Sequence, residues 1–158
     1  MAKTSNPGRH RDRRKEPSEF AETTLSVDRV TRVVKGGRRM RFRAIVVAGD
    51  RKGRVGLGTG KANEVQAAVQ KATRYARKAM VKVPLKGGTL PHEVEVKFKA
   101  ARVRLLPACE GTGIIAGGAV RVILEHAGVR DVLSKRFGTA NKLVNAQATM
   151  LALQMFHT

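Results

Sequence analysis

The sequence predicts an α+β fold in two units, βββα followed by ββαβα. Between Leu25 and Gly60 apolar residues recur mostly at a period of two and are separated by glycine-bearing turns, the pattern of an antiparallel meander. From Glu64 to about Met80 the period changes to i, i+3, i+4, that of a helix. Beyond Pro84 and the turn-rich run Lys86-Gly87-Gly88-Thr89-Leu90-Pro91 both periods recur, so the chain divides there. Its 158 residues allow one ordinary domain or two small ones sharing an interface, and a 42% hydrophobic fraction suffices for a packed core.

Residues 1–22 read as a basic arm. They carry Arg9, Arg11, Arg13, Arg14 and Lys15 with few apolar residues, too little surface to bury for independent folding. The first domain is expected over 23–86. Its first strand runs from Leu25 through Val34, and Lys35-Gly36-Gly37-Arg38 supplies glycines for a tight primed hairpin turn. In the second strand, Arg39 to Ala48, alternation sends Arg39, Arg41 and Arg43 to one face and Met40, Phe42, Ala44 and Val46 to the other. A turn at Gly49-Asp50-Arg51-Lys52-Gly53 leads to the third strand, Arg54 to Gly60. Asn63 is placed as the cap of the first helix, whose stripe of Val65, Ala68, Val69, Ala72, Ala76 and Ala79 is small enough to sit close on the sheet. The opposite face carries Gln66, Gln70, Lys71, Arg74, Arg77 and Lys78.

The second domain is expected over 90–158. Val94, Val96 and Phe98 alternate with Glu93, Glu95, Lys97 and Lys99, and Val103 and Leu105 with Arg102 and Arg104, a hairpin with one wet face and cross-strand ion pairs. A glycine-rich loop from Glu110 to Gly118 precedes a helix from about Ala119 that ends at Gly128. Val129 to Lys135 reads as a strand. Asn141 caps a last helix to about Phe156, with Leu143, Val144, Gln147, Leu151 and Met155 near its inner face.

Charge narrows the function. Eleven Lys or Arg residues stand between Arg29 and Lys61 against one acid, Asp50, and the whole chain carries a formal charge of +20. Solvated faces usually mix signs, so this surface is read as one that meets a polyanion. Membrane is the weakest candidate partner, because no apolar run approaches the ~18 residues of a spanning helix and no secretory core is seen. A lone Cys109, read as a small packed residue, fits a reducing intracellular compartment, and with four scattered His it makes a zinc site improbable. Aromatics at 4% favour phosphate contact over base stacking.

Two glycine-rich stretches test poorly as nucleotide sites. Gly56-Leu57-Gly58-Thr59-Gly60-Lys61 lacks the Gly at 55 and the Ser or Thr at 62 of a phosphate loop. Gly111-Thr112-Gly113-Ile114-Ile115-Ala116 formally satisfies the dinucleotide fingerprint, with Asp131 about 20 residues on, yet Pro107 precedes it and no repeated βαβ unit surrounds it. Both are read as backbone devices for close approach, tight turning or exposed N–H groups. His10, His92, His126 and His157 have no catalytic neighbours at evident spacing.

Val33-Val34-Lys35-Gly36-Gly37-Arg38, Gly49-Asp50 through Gly53-Arg54-Val55-Gly56-Leu57-Gly58, Gly60-Lys61-Ala62 and Glu110 to Gly118 together resemble the bacterial-type small-subunit ribosomal protein five family, over about Leu25 to Phe156. The resemblance implies a double-stranded-RNA-binding-like first domain and a second domain with a left-handed β-α-β connection. It implies a non-enzymatic constituent of the small subunit on a cytoplasmic or organellar ribosome, binding 16S-type rRNA and contributing to messenger entry and translational accuracy. The hairpin at Lys35-Gly36-Gly37-Arg38 resembles the loop that reaches rRNA near the neck, and Lys61 the phosphate-facing lysine of such domains. The expected RNA-binding set is Arg29, Arg32, Lys35, Gly36, Gly37, Arg38, Arg39, Arg41, Arg43, Arg51, Lys52, Arg54 and Lys61. Gly111, Thr112, Gly113, Gly117, Gly118 and Arg121 resemble the surface that packs on small-subunit protein four, and protein eight is implied as a second neighbour. No cofactor, metal or small-molecule substrate is expected. The basic N-terminal arm and the lack of the longer C-terminal tail of many relatives depart from the family pattern. The alternatives are a free-standing RNA-binding regulator and a small dinucleotide-dependent enzyme.

Overall fold

The computed structural model describes residues 20–156, so the arm up to residue 19, with His10, and His157 at the other end lie outside the described residues. The first unit is β1 (Ala21–Val34), β2 (Gly37–Gly49), β3 (Arg54–Ala62), α1 (Val65–Lys78) and β4 (Met80–Lys82), an antiparallel sheet in the order β1-β2-β3-β4. Ala21 and Glu22 of the expected arm already belong to β1. β4 adds a strand to the expected βββα; three residues are too few to show a period, and pairing with Arg54–Gly56 is what defines it. A register shift between Thr24 and Ser26 bulges β1 at Leu25, whose carbonyl accepts from Lys142 Nζ at 3.3 Å.

The second unit is β5 (Val94–Phe98), β6 (Ala101–Pro107), β7 (Ile114–Ile115), α2 (Gly118–Ala127), β8 (Val132–Gly138) and α3 (Lys142–Gln154). Its sheet order is β5-β6-β8-β7, with β7 parallel to β8 across α2 and the other pairs antiparallel. β8 starts three residues later than Val129, because Arg130 and Asp131 donate backbone N–H groups to the carbonyl of Gly88. Gly128 ends α2 in the left-handed conformation, and the Asn141 side chain caps α3 by accepting from Leu143 N at 3.0 Å, both as read from the sequence.

The glycines of β3 set how α1 packs. A Cβ at Gly56, Gly58 or Gly60 would lie 2.1, 2.0 and 2.3 Å from the carbonyl oxygens of Ala76, Ala72 and Ala68. Three alternate glycines thus face three alanines one helical turn apart, and strand and helix backbones meet almost directly. The run that superficially evokes a phosphate loop is consumed by packing. Asn63 does not cap α1: β3 runs on to Ala62, the cap position is Glu64, and its side chain makes no capping bond.

β2 is buried on both faces at its base. Ala44 and Val46 pack with Ala68 and Ala72 of α1, while Val47, with Val55 of β3, joins the large core formed with α2 and α3. The uninterrupted run Ala44-Ile45-Val46-Val47-Ala48 is therefore a two-sided core strand, and the expected split into one buried and one open face fails there. Backbone bonds lock the units: Arg51 N donates to the His126 carbonyl at 3.1 Å and Gly53 N to that of Ala127 at 2.9 Å. A Cβ on Gly49 would fall 2.2 Å from the same His126 oxygen. On α3 the expected inner face is met at Val144, which packs against the core, and missed toward the C-terminal end. Leu151 and Met155 are exposed, whereas Ala146, Thr149, Met150, Ala152 and Leu153 are buried, because this helix is apolar around most of its girth and its periodicity carries little phase.

Candidate nucleic-acid interface

β3 leaves β2 at the pair Phe42↔Ala62, and beyond it five pairs, from Val30↔Arg41 to Val34↔Gly37, join β1 and β2 alone. At about 3.4 Å per residue the result is a two-stranded ribbon projecting about 17 Å. Its turn is Lys35-Gly36. Positive φ falls on Gly36 (+88°) and not on Lys35, so the turn is not primed as expected; a side-chain-bearing residue at the first centre leaves the left-handed conformation to glycine.

Residues opposite one another share a face, and that rule fixes where the cations point. Arg32 stands opposite Arg39, Val30 opposite Arg41, Asp28 opposite Arg43, and Arg43 opposite Lys61. This face looks away from α1, since the alternating residues Ala44 and Val46 pack on that helix. Val30, Thr31, Arg32, Arg39, Arg41 and Lys61 line a shallow groove there of about 330 Å³. Arg43 is partly neutralised by Asp28 at 2.7 Å. Among the described residues no ion pair joins an acid to Arg32, Arg39, Arg41 or Lys61. Like charges directly across a sheet repel, so the groove is electrostatically incomplete without an anion. The other ribbon face carries Arg29, Arg38, Val33 and Met40; Val33 is 74% and Met40 55% exposed, although Met40 was expected on the buried face.

The remaining expected cations lie elsewhere. Lys61 is the penultimate residue of β3 rather than part of a helix start. Arg51, Lys52 and Arg54 sit at the opposite end of β2 from the ribbon turn. Burial pushes the Asp50 carboxyl up, but the Arg54 guanidinium at 2.6 Å and the N–H groups of Lys52 and Arg54 outweigh it and hold the group below the usual range. Arg54 also lies over the Phe20 ring, so it is tied into the fold.

Asp131 is not a ribose ligand in waiting. It is nearly buried, its Oδ1 accepts from Gly113 N at 2.8 Å, and Val132 N returns a bond to the Gly113 carbonyl. Gly111 and Gly113 have φ of +89° and +73°, which makes the loop a pinned turn. Thr112 is exposed and bonds back to the Cys109 carbonyl through both N–H and Oγ1. Cys109 itself is exposed, contrary to the expected packed residue, because the turn uses its backbone and leaves the thiol outside. Gly117 lies beneath Arg136, and Gly118 and Arg121 open the exposed side of α2. Glu95 pairs with Arg102 and Glu93 with Arg104, the ion pairs expected on the wet hairpin face. Among the described residues no three His, Cys, Asp or Glu groups converge as a metal site would need, and no helix is long and apolar enough to cross a membrane.

A cationic groove with no acid in its lining, on a two-stranded ribbon and with both glycine loops committed to structure, is the surface expected of a polyanion-binding α+β protein. Family models for the N-terminal and C-terminal domains of ribosomal protein S5 match residues 20–84 and 96–158. The chain is 55% identical over 141 residues to small ribosomal subunit protein uS5 of Thermus thermophilus, covering 89% of this chain and 87% of that one. It is 51% identical over 148 residues to uS5 of Treponema pallidum, at 92% and 86% coverage, and 57% identical over 136 residues to uS5c of Spinacia oleracea, at 85% and 44%. The chain belongs to the ribosomal protein S5 family.

Proposed function

We propose that the chain is a structural constituent of the small ribosomal subunit that binds 16S-type rRNA chiefly through the β1–β2 ribbon. The observation that carries this is the groove in which Arg32 faces Arg39 and Arg41 and Lys61 flank them without an acid; such an arrangement gains stability only when phosphates enter. The work is electrostatic and geometric. A ribbon about 10 Å across fits an RNA groove or junction, Lys35 and Arg38 stand at its tip, and Arg29 on the opposite face meets a second strand of the same junction. Arg51, Lys52 and the Asp50-anchored Arg54 serve a separate contact at the base. The exposed turn Gly111-Thr112-Gly113, with Gly117, Gly118 and Arg121, supports packing against protein four and through it a bearing on decoding accuracy and the messenger path; protein eight is the second neighbour.

The tests are a salt titration and a sedimentation measurement. With about six phosphates engaged, affinity for duplex-like RNA should fall with salt at a log–log slope near −5. A slope shallower than about −2 contradicts the reading. In lysate at low magnesium, the tagged chain should co-migrate stoichiometrically with the small subunit through a salt wash. Migration as free protein or in light RNA complexes would instead identify a free-standing regulator.

A further inference from the structure

Several features that the ribbon surface does not use converge on one cavity of about 330 Å³ at the seam of the two units, between the β1 bulge, the first turn of α2, β8 and the start of α3. Asn145 lines this cavity yet is only 1% exposed. Its Nδ2 donates to the carbonyls of Thr139 and Asn141, both at 2.9 Å, which fixes the orientation of the amide and leaves Oδ1 as the free end. Among the described residues nothing donates to that oxygen. A buried acceptor without a donor is uncommon enough in a folded protein to need a reason. Arg136 and Lys142 line the same cavity, and each is held by a carbonyl rather than an acid: Arg136 Nη1 donates to Thr139 at 3.2 Å and Lys142 Nζ to Leu25 at 3.3 Å. Neutral carbonyls position the two side chains without cancelling their charge. The bulge of β1 is what frees the Leu25 carbonyl for Lys142. Gly117 caps α2 with no side chain, so the first-turn N–H groups of Gly118, Ala119 and Val120, residues that border the cavity, have no capping partner. Among the described residues neither an acid nor an aromatic lines it. Of the surface assigned to protein four, only Gly118 borders it.

We infer that this cavity binds a small phosphorylated polyol of the sugar-phosphate class. The phosphate belongs at the first turn of α2, where free N–H groups, the positive end of the helix dipole, Arg136 and Lys142 all favour a doubly charged oxyanion. A hydroxyl of the polyol donates to Asn145 Oδ1, which a bare dianion cannot satisfy. The volume stands at the lower end of small-molecule sites and no ring is present to stack a base, so a sugar phosphate fits and a dinucleotide does not. Thr24 and Leu25 of the first unit form one wall and α2, β8 and α3 of the second the others, so the ligand braces the seam. The site shares no residue with the ribbon groove and stands independently of the RNA-binding reading.

The full chain, labelled with nitrogen-15, is titrated with ribose 5-phosphate and followed by amide spectra. Binding should saturate at one site and move the backbone amides of Gly118, Ala119 and Val120 and the side-chain amide of Asn145. Ribose 5-phosphate should bind at least about tenfold more tightly than methyl phosphate, which carries the same charged group and no sugar hydroxyl, a comparison that needs no altered protein. R136Q/K142Q, which changes exposed side chains only, should weaken ribose 5-phosphate at least about tenfold, and the charge-retaining R136K/K142R should recover most of the affinity. R32Q/R39Q/R41Q should leave it unchanged. Equal affinity for the two phosphates, shifts centred on the ribbon, or unchanged affinity in R136Q/K142Q overturns the inference. A saturating RNA duplex separates the cavity from the RNA surface: undiminished ribose 5-phosphate binding in its presence upholds a small-molecule site, and displacement by the duplex overturns it.

Discussion

Gly58 has no space for a methyl group, because a Cβ there would sit 2.0 Å from the Ala72 carbonyl and 2.4 Å from the Ala76 nitrogen. Gly58→Ala must push α1 off the sheet, at a cost of about 1–3 kcal/mol or more, read as a fall in the urea midpoint; Gly36→Ala meets open space and should cost only the roughly 1 kcal/mol of a left-handed alanine. Asp131 gives a sharper contrast. Asp131→Ala strands the Gly113 N–H and should cost about 1–3 kcal/mol and speed hydrogen exchange in the 109–114 turn, whereas Asp131→Asn keeps an acceptor and should cost far less. Asp50 supplies a pH dependence. Its carboxyl titrates below the usual range in the folded state, so its contribution is complete above pH about 4, the unfolded value, and is lost as pH falls through the lower folded value. The urea midpoint of the chain minus that of Asp50→Asn should therefore be constant from pH 7 to pH 5 and shrink toward pH 2; a difference that grows on acidification would contradict the pairing.

Among the elements, the β1–β2 ribbon is where sequence and structure agree in substance and differ in detail. The alternation of Arg39, Arg41 and Arg43 was legible because period-2 patterning needs no tertiary knowledge; it supplies two of the four groove cations, and the other two, Arg32 and Lys61, were also in the expected set. Val30 and Thr31, which complete the groove wall, were missed, since only pairing register sets Val30 opposite Arg41 and Arg32 opposite Arg39, with Thr31 between them along the strand. The switch at residues 42–44 from two open faces to two buried ones was written in the run Ala44 to Ala48, but a short apolar run does not say what covers it. β4 carried no signal at all, and α3 carried the wrong phase toward its C-terminal end because its apolar residues ring the helix. For the ribbon as an element, the expected result is that R32Q/R39Q/R41Q lowers RNA affinity and flattens the salt slope by about 3 while leaving the thermal midpoint unchanged or raised, as cross-strand repulsion is removed. A lowered midpoint would show that the arginines pack the fold instead.

At the scale of the molecule, the two units share one core, with Val47 and Val55 of the first sheet buried in the same cluster as Leu124, Val132 and Leu153 of the second. Calorimetry should accordingly show one cooperative unfolding transition, and Gly49→Ala, which strikes the His126 carbonyl at the junction, should lower it as a whole without splitting it. The joint was hidden from the sequence because Gly49, Gly53 and Gly128 read only as turn punctuation, while their service is to let two backbones touch. The unbroken strand β2 also has a mechanical meaning. It runs from the ribbon turn at Gly37 to Gly49 against the end of α2, about 40 Å of extended chain clamped at its inner half between α1 and the second unit. A lever so mounted has its fulcrum inside the protein: a load on the tip would be carried down one continuous strand to the joint where Arg51 N meets the His126 carbonyl at the end of α2.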